Sequence, residues 1–175
     1  WCARELVGDE PFAIALPDDL IKGRPGALKQ MIEIYNKHGG NLVATMNVSR
    51  EDTSKYGVIT PGAASGNYME VKGLVEKPHP EDAPSTQAVV GRYILQPEVM
   101  KLLSSKEIGA GGEIQLTDAM AKMIGKQPFH AVEFDGVRFD CGNKLGWLMA
   151  NISMAMDDKS LAPKLANLIQ MRTQN

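Results

Sequence analysis

FAIAL (residues 12–16) is an unbroken apolar run held between Pro11 and Pro17, and the fold turns on how it is read. A run of this length with no polar alternation is the pattern of a strand buried on both faces of a parallel sheet. Acid follows at once, as Asp18 and Asp19. Pro25 and Gly26 then open a stretch in which Leu28, Met31, Ile32 and Tyr35 recur at helical spacing, and Gly39 and Gly40 close it as a C-terminal cap. NLVATMNV (residues 41–48) is the next strand. Strand, helix and strand in this order make a crossover unit with parallel strands, which places the chain in the α/β class.

Further along, the period shortens. YGVIT (56–60), YMEVKGLVEKP (68–78) and QAVVGRYIL (87–95) are extended runs separated by glycine and proline clusters, and they are predicted to add mixed or antiparallel strands. Pro97 begins a short helix ending at Leu103. The loop Gly109-Ala110-Gly111-Gly112 leads to Glu113 and a second helix, predicted to be N-capped by Thr117, with Met120, Met123 and Ile124 on one face. Residues 129–134 and 137–139 are predicted as two strands of a hairpin turning at Asp135-Gly136. After Asp140-Cys141-Gly142 the chain is helical, with one stripe of Leu145, Leu148, Met149 and Ile152 and another of Leu161, Leu165, Leu168 and Ile169. The expected organisation is one domain over residues 1–159 and a carboxy-terminal helix over 160–175.

At 175 residues and 43% hydrophobic content the chain can bury a single core. The formal net charge of -2 gives no bulk attraction to nucleic acid or to a membrane surface, so an anionic small molecule would have to be held by a few local charges. Cys2 and Cys141 have neither a metal-ligand spacing nor a disulfide framework, which reads as reduced thiols. No apolar run reaches bilayer length and the first residues lack the regions of a signal peptide, so a soluble, cytoplasmic protein is expected.

Ligands of open α/β sheets gather at the carboxyl ends of the strands. That directs attention to LPDD (16–19), VEKP (75–78) and FDCGNK (139–144), all of which carry charge. Asp18 and Asp140 would together make a hard oxygen site suited to Mg²⁺, which takes one or two carboxylates alongside substrate phosphates. Each of these segments also has a plainer reading. The aspartates serve equally as turn or cap residues, and Glu76-Lys77 equally as a solvated strand edge. The glycine loop at 109–112 resembles a phosphate cradle but lacks the Lys-Ser/Thr of a Walker motif. His38, His79 and His130 read as surface or helix-end residues, and the ten methionines as core filler.

Taken in order, VGDEPFAIALPDD (7–19), YGV (56–58), GLVEKP (73–78), VVGRYIL (89–95), GAGGEIQLTDA (109–119) and FDCGNKLGW (139–147) resemble the bacterial UTP:glucose-1-phosphate uridylyltransferases over nearly the whole chain. The resemblance implies a Rossmann-like nucleotidyltransferase sheet, mixed and mostly parallel with helices on both faces, and a magnesium-dependent reaction of UTP with glucose 1-phosphate. It implies Asp18 as the principal Mg²⁺ ligand with Asp140 as a second, and Asp18 and Lys77 as the catalytic residues. Glu76, Gly57, Gly91 and Glu113 would contact substrate, with Lys77 on the sugar phosphate. A homodimer or homotetramer is implied as well, with no nucleic-acid or membrane partner.

Members of that family begin with a strand and a GxGTR-type loop that bind the nucleotide, and no such segment occurs here. The expectation is therefore a fragment, unable alone to turn over UTP, with an apolar sheet edge beside residues 12–16. Two further readings stay open. One is a non-catalytic module that holds sugar phosphate or makes assembly contacts, and the other is a nucleotidyltransferase of different base or sugar specificity.

Overall fold

The computed structural model describes residues 1–109 and 112–173. Its elements are α1 (Arg4–Val7), β1 (Phe12–Ala15), β2 (Asp19–Lys22), α2 (Ala27–His38), β3 (Asn41–Asn47), β4 (Gly57–Ser65), β5 (Tyr68–Glu76), β6 (Gln87–Leu95), α3 (Glu98–Leu103), α4 (Leu116–Ala121), β7 (Phe129–Glu133), β8 (Val137–Asp140), α5 (Lys144–Asp157) and α6 (Ala162–Thr173), with a 3₁₀ turn at Glu51–Lys55.

Six strands form one sheet in the order β1-β6-β3-β7-β5-β4, and β2 pairs with β8 in a separate two-stranded sheet. β1 and β3 run the same way, as a crossover unit requires, but β6 lies between them and is antiparallel to both. The pairing of β3 with β7 is parallel, while β5 is antiparallel to β7 and to β4. The sheet is thus mixed. β1, β3, β7 and β4 share one direction, and β5 and β6 run against them, so most neighbours among the described strands are antiparallel.

Alternation along the strands sends successive side chains to opposite faces, and each face has its own core. Val43, Val89 and Ala131 pack with Met120, Met123 and Val99 on the side of α3 and α4. Leu42, Ala44, Val90 and Val132 pack with Met31 and Ile34 of α2 on the other. α2 turns Ala27, Gln30, Met31 and Ile34 inward, so Ile34 and not Ile32 continues the buried stripe. Gln30 secures that face to the later chain. Its amide nitrogen donates to the carbonyls of Pro25 and Asp135, both at 2.8 Å, and its oxygen accepts from the Asp135 N–H at 2.8 Å.

The structure corrects four further expectations from sequence. β1 is not buried on both faces: it ends the strand order, with β6 as its partner among the described residues, and half-buried and exposed positions alternate along it. An apolar hollow of about 620 Å³ lies beside it, lined in part by Val7, Phe12, Ile14, Met100 and Leu103. β7 and β8 do not form a hairpin, because β8 leaves the main sheet to pair with β2, a strand that LPDD had not suggested. The N-cap of α4 is Gln115, and Thr117 sits inside its first turn. The methionines divide: Met31, Met120 and Met123 are core, whereas Met149, Met154, Met156 and Met171 are exposed along α5 and α6. Of the glycine loop, Ala110 and Gly111 fall outside the described residues.

Candidate active site

A cleft of about 490 Å³ opens where β1, β2, β8, β6 and the β4/β5 hairpin meet. Its walls bring together Asp18, Asp140, Gly57, Glu76, Lys77 and Gly91 from five separate segments. Glu113, by contrast, is exposed and does not line it.

One end of the cleft is acidic. β2 and β8 pair with Asp19 opposite Asp140, and the Cys141 N–H donates to the Asp18 carbonyl at 2.7 Å, which extends the pairing past the strand ends. Asp18 and Asp140 thereby leave the strand pair side by side. A β-carbon added to Gly142 would lie 3.1 Å from Asp140 Oδ1 and 3.2 Å from Asp18 Oδ2, so both carboxylates face the same small space. The Gly142 N–H donates to Asp140 Oδ1 at 3.0 Å. Among the described residues no three His, Cys, Asp or Glu side chains are grouped to hold a metal ion. Two carboxylates with room left over suit Mg²⁺, whose remaining positions go to water and phosphate oxygens, better than a metal that wants a closed protein cage.

Asp19 has a different fate from its neighbour. It is 5% exposed and forms an ion pair with Arg138, while its Oδ2 accepts the Gly91 N–H at 2.7 Å. Burying a carboxylate without such partners is costly. At Gly91 a β-carbon would stand 2.5 Å from Asp19 Oδ2 and 2.7 Å from Leu16 Cβ, so only glycine lets β6 come this close. Burial opposes the charge on Arg138, but its hydrogen bond to Asp19 and the attraction of that carboxylate outweigh burial and raise its pKa above the ordinary guanidinium value.

The opposite end is the β4/β5 hairpin, where Gly57 pairs with Glu76. Glu76 Oε2 accepts the Thr117 hydroxyl at 2.6 Å and would lie 3.2 Å from a β-carbon at Gly57. One carboxylate oxygen is thus held by α4, and Oε1 lies 3.9 Å from Lys77 Nζ. Lys77 has φ 44°, a left-handed conformation that is rare outside glycine, and its N–H donates to the Tyr56 carbonyl at 3.0 Å. The left-handed kink ends the strand abruptly and brings the lysine round to the cleft that its neighbour Glu76 lines, with its side chain about half exposed.

Sequence reasoning missed Arg138, Tyr56, Tyr93 and Thr117, all of which line the cleft. Tyr93 is buried, and burial, followed by the charges of Asp19, Glu76 and Asp18, pushes its hydroxyl up to about 12, so it stays protonated at neutral pH. Its only signal was a polar aromatic within the apolar run VVGRYIL. None of the three histidines lines the cleft. His38 and His79 are exposed, and His130 is half-buried beside His38 and Tyr68, with ring centroids 5.7 and 5.8 Å away.

A UTP–glucose-1-phosphate uridylyltransferase of Komagataeibacter xylinus is 55% identical over 145 residues, 83% of this chain and 51% of that protein. The enzyme of that name from Bacillus subtilis is 41% identical over 170 residues, 97% of this chain and 58% of that protein. A UDP-glucose pyrophosphorylase solved with UDP-glucose superposes with a TM-score of 0.85 at 40% identity, over 89% of this chain and 60% of that one. A UTP-bound UGPase from Acinetobacter baumannii gives 0.84 at 34% identity, over 97% and 59%. The chain therefore spans between half and three fifths of the length of these relatives. The family model for nucleotidyl transferases matches residues 1–155, which include every wall of the cleft, and the chain belongs to that family.

Proposed function

We propose that this chain supplies the sugar-phosphate side of a UTP:glucose-1-phosphate uridylyltransferase, which transfers uridylyl from UTP to glucose 1-phosphate and releases UDP-glucose and pyrophosphate. The observation that carries this is the convergence of Asp18, Asp140, Glu76 and Lys77 in one cleft, with acid at one end and a carboxylate–lysine pair at the other. Glu76 accepts hydrogen bonds from sugar hydroxyls through the oxygen that Thr117 leaves free. Lys77 holds the sugar phosphate, and the backbone at Gly57 and Gly91 forms part of the wall on which the ring lies. Asp18 and Asp140 would hold Mg²⁺, which when bound neutralises charge on the phosphates. An oxygen of glucose 1-phosphate attacks the α-phosphorus of UTP in line with the departing pyrophosphate. Phosphoryl-type transfer needs alignment and charge neutralisation more than a base, which suits a cleft without histidine.

Calorimetry on this chain with glucose 1-phosphate and UDP-glucose, with and without Mg²⁺, tests the binding half. Assay of UDP-glucose formation in a polypeptide extended to its relatives' length tests the reaction. Absence of glucose 1-phosphate binding would overturn the proposal. The chain spans 51–60% of the length of these relatives, and a second reading of it is as a module that holds sugar phosphate without turnover. Binding without discrimination between uracil and other bases would support it.

A homo-oligomer is also proposed, on the exposed apolar side chains of α5 and α6, among them Leu145, Leu148, Met149, Leu168 and Ile169. Light scattering checks it, and a monomer at all concentrations would refute it. No described helix is long and apolar enough to cross a membrane. Soluble nucleotide and sugar-phosphate substrates support placing the protein in the cytoplasm.

A further inference from the structure

Arg138 lines the cleft and touches groups at both of its ends. Its side chain is only 12% exposed on β8. Through Nε and one terminal nitrogen it grips Asp19 on β2, and Asp19 passes the contact to β6 by accepting the Gly91 N–H at 2.7 Å. The other terminal nitrogen donates to the Tyr56 hydroxyl at 3.0 Å, with the guanidinium carbon 5.3 Å from the ring centre. Tyr56 immediately precedes Gly57, and its carbonyl accepts the Lys77 N–H at 3.0 Å.

Every group assigned to metal or sugar thus lies within two residues of a member of this network. Asp18 adjoins Asp19, Asp140 is two residues from Arg138 and faces Asp19 across the strand pair, Gly91 is itself a member, and Gly57, Glu76 and Lys77 flank the Tyr56–Lys77 contact. The two-stranded sheet that carries the acids is separate from the main sheet, so no ladder of backbone hydrogen bonds fixes its position relative to the β4/β5 hairpin. A planar, always-charged guanidinium with five donors is suited to bridge three elements, and lysine is not. A buried ion pair is on balance a poor source of stability compared with apolar packing, but it is demanding of geometry.

We propose that Arg138 is a positioning residue that sets the distance and orientation between the acidic end and the sugar end of the cleft, acting through Asp19 and the Tyr56 hydroxyl. The inference rests on the sugar-phosphate reading of the cleft.

Its test compares three variants of this chain by calorimetry with glucose 1-phosphate and by denaturant midpoint. Tyr56→Phe removes only the hydroxyl link. Asp19→Asn with Arg138→Met removes the pair without stranding a buried charge, and keeps an oxygen for the Gly91 N–H. The third combines all three changes. Tyr56→Phe is expected to weaken binding about 3- to 10-fold with its midpoint unchanged. The double variant is expected to weaken it at least as much while remaining folded. The combined variant should be no worse than the double, because both routes break the same link.

Unchanged affinity in a folded double variant overturns the proposal, as that pair would then be structural only. So do fully additive losses, which would mean that Tyr56 acts by touching the sugar itself. If the unaltered chain fails to bind glucose 1-phosphate, the reading of the cleft falls and this inference with it. If it binds and the variants match it, this inference alone falls.

Discussion

The two ends of the cleft are built by opposite means. The end proposed for the sugar is mostly local: Gly57 and Glu76 meet because a hairpin of adjacent strands holds them in register and Lys77 turns sharply out of it, although Thr117 reaches Glu76 from 41 residues further on. The acidic end is assembled across the whole chain, with Asp19 bound to Arg138 and to Gly91, separated in sequence by 119 and 72 residues. A site can thus be half encoded by neighbours and half by distant partners, and the distant half is the one whose disruption should unfold as well as inactivate.

The largest effect that would sharpen this contrast is on stability. Asp19→Ala leaves the Arg138 guanidinium buried and unpaired and should cost about 3–5 kcal/mol in a denaturant titration. Thr117→Val at the sugar end should cost about 1 kcal/mol by the same measurement, and a larger loss there than at Asp19 would break the comparison. Within the acidic end, function should separate from stability. Asp18→Asn is expected to lower UDP-glucose formation by roughly 100-fold or more, in a polypeptide of the relatives' length, with a stability change within about 0.5 kcal/mol. Equal rates would return Asp18 to the part of a turn residue.

Lys77→Ala should weaken glucose 1-phosphate binding by about 10-fold, from loss of a charge-assisted hydrogen bond to phosphate, and calorimetry reads this directly. The smallest effect lies away from both ends. Burial, followed by the nearby His38, depresses the pKa of His130 below the ordinary value of 6.5, against a smaller opposing pull from Glu70. The unfolded chain then binds the proton more tightly. The contribution of His130 to stability is therefore present above about pH 6.5 and lost as pH falls through that value towards the lower folded pKa. His130→Gln should flatten this part of the pH–stability curve and leave sugar binding unchanged.

What sequence could tell follows the same division. The strands of β3 to β6 were legible because their apolar runs are bounded by glycine and proline, and α2 because its stripe ends at two glycines. LPDD, VEKP and FDCGNK were legible as strand ends that carry charge, and they do share one cleft. What stayed hidden depends on partners far away in the chain. No local pattern says that VRFD should desert β7 for DLIK, that Thr117 should reach back to Glu76, or that of two adjacent aspartates one is buried against an arginine and the other faces solvent. The half-buried and exposed alternation of β1 was hidden for a related reason, since an apolar run does not say how many strands flank it among the described residues.

The placement of β6 also bears on how the chain is made. β1 has its pairing partner among the described strands in β6, with Phe12 opposite Leu95, and β3 sits between β6 and a strand that begins at Phe129. Within this chain a ribosome that releases residues in order therefore presents FAIAL some eighty residues before β6, its partner among the described strands. Pairings between segments so far apart in sequence are slow to form, so this strand pair is expected to close late in folding.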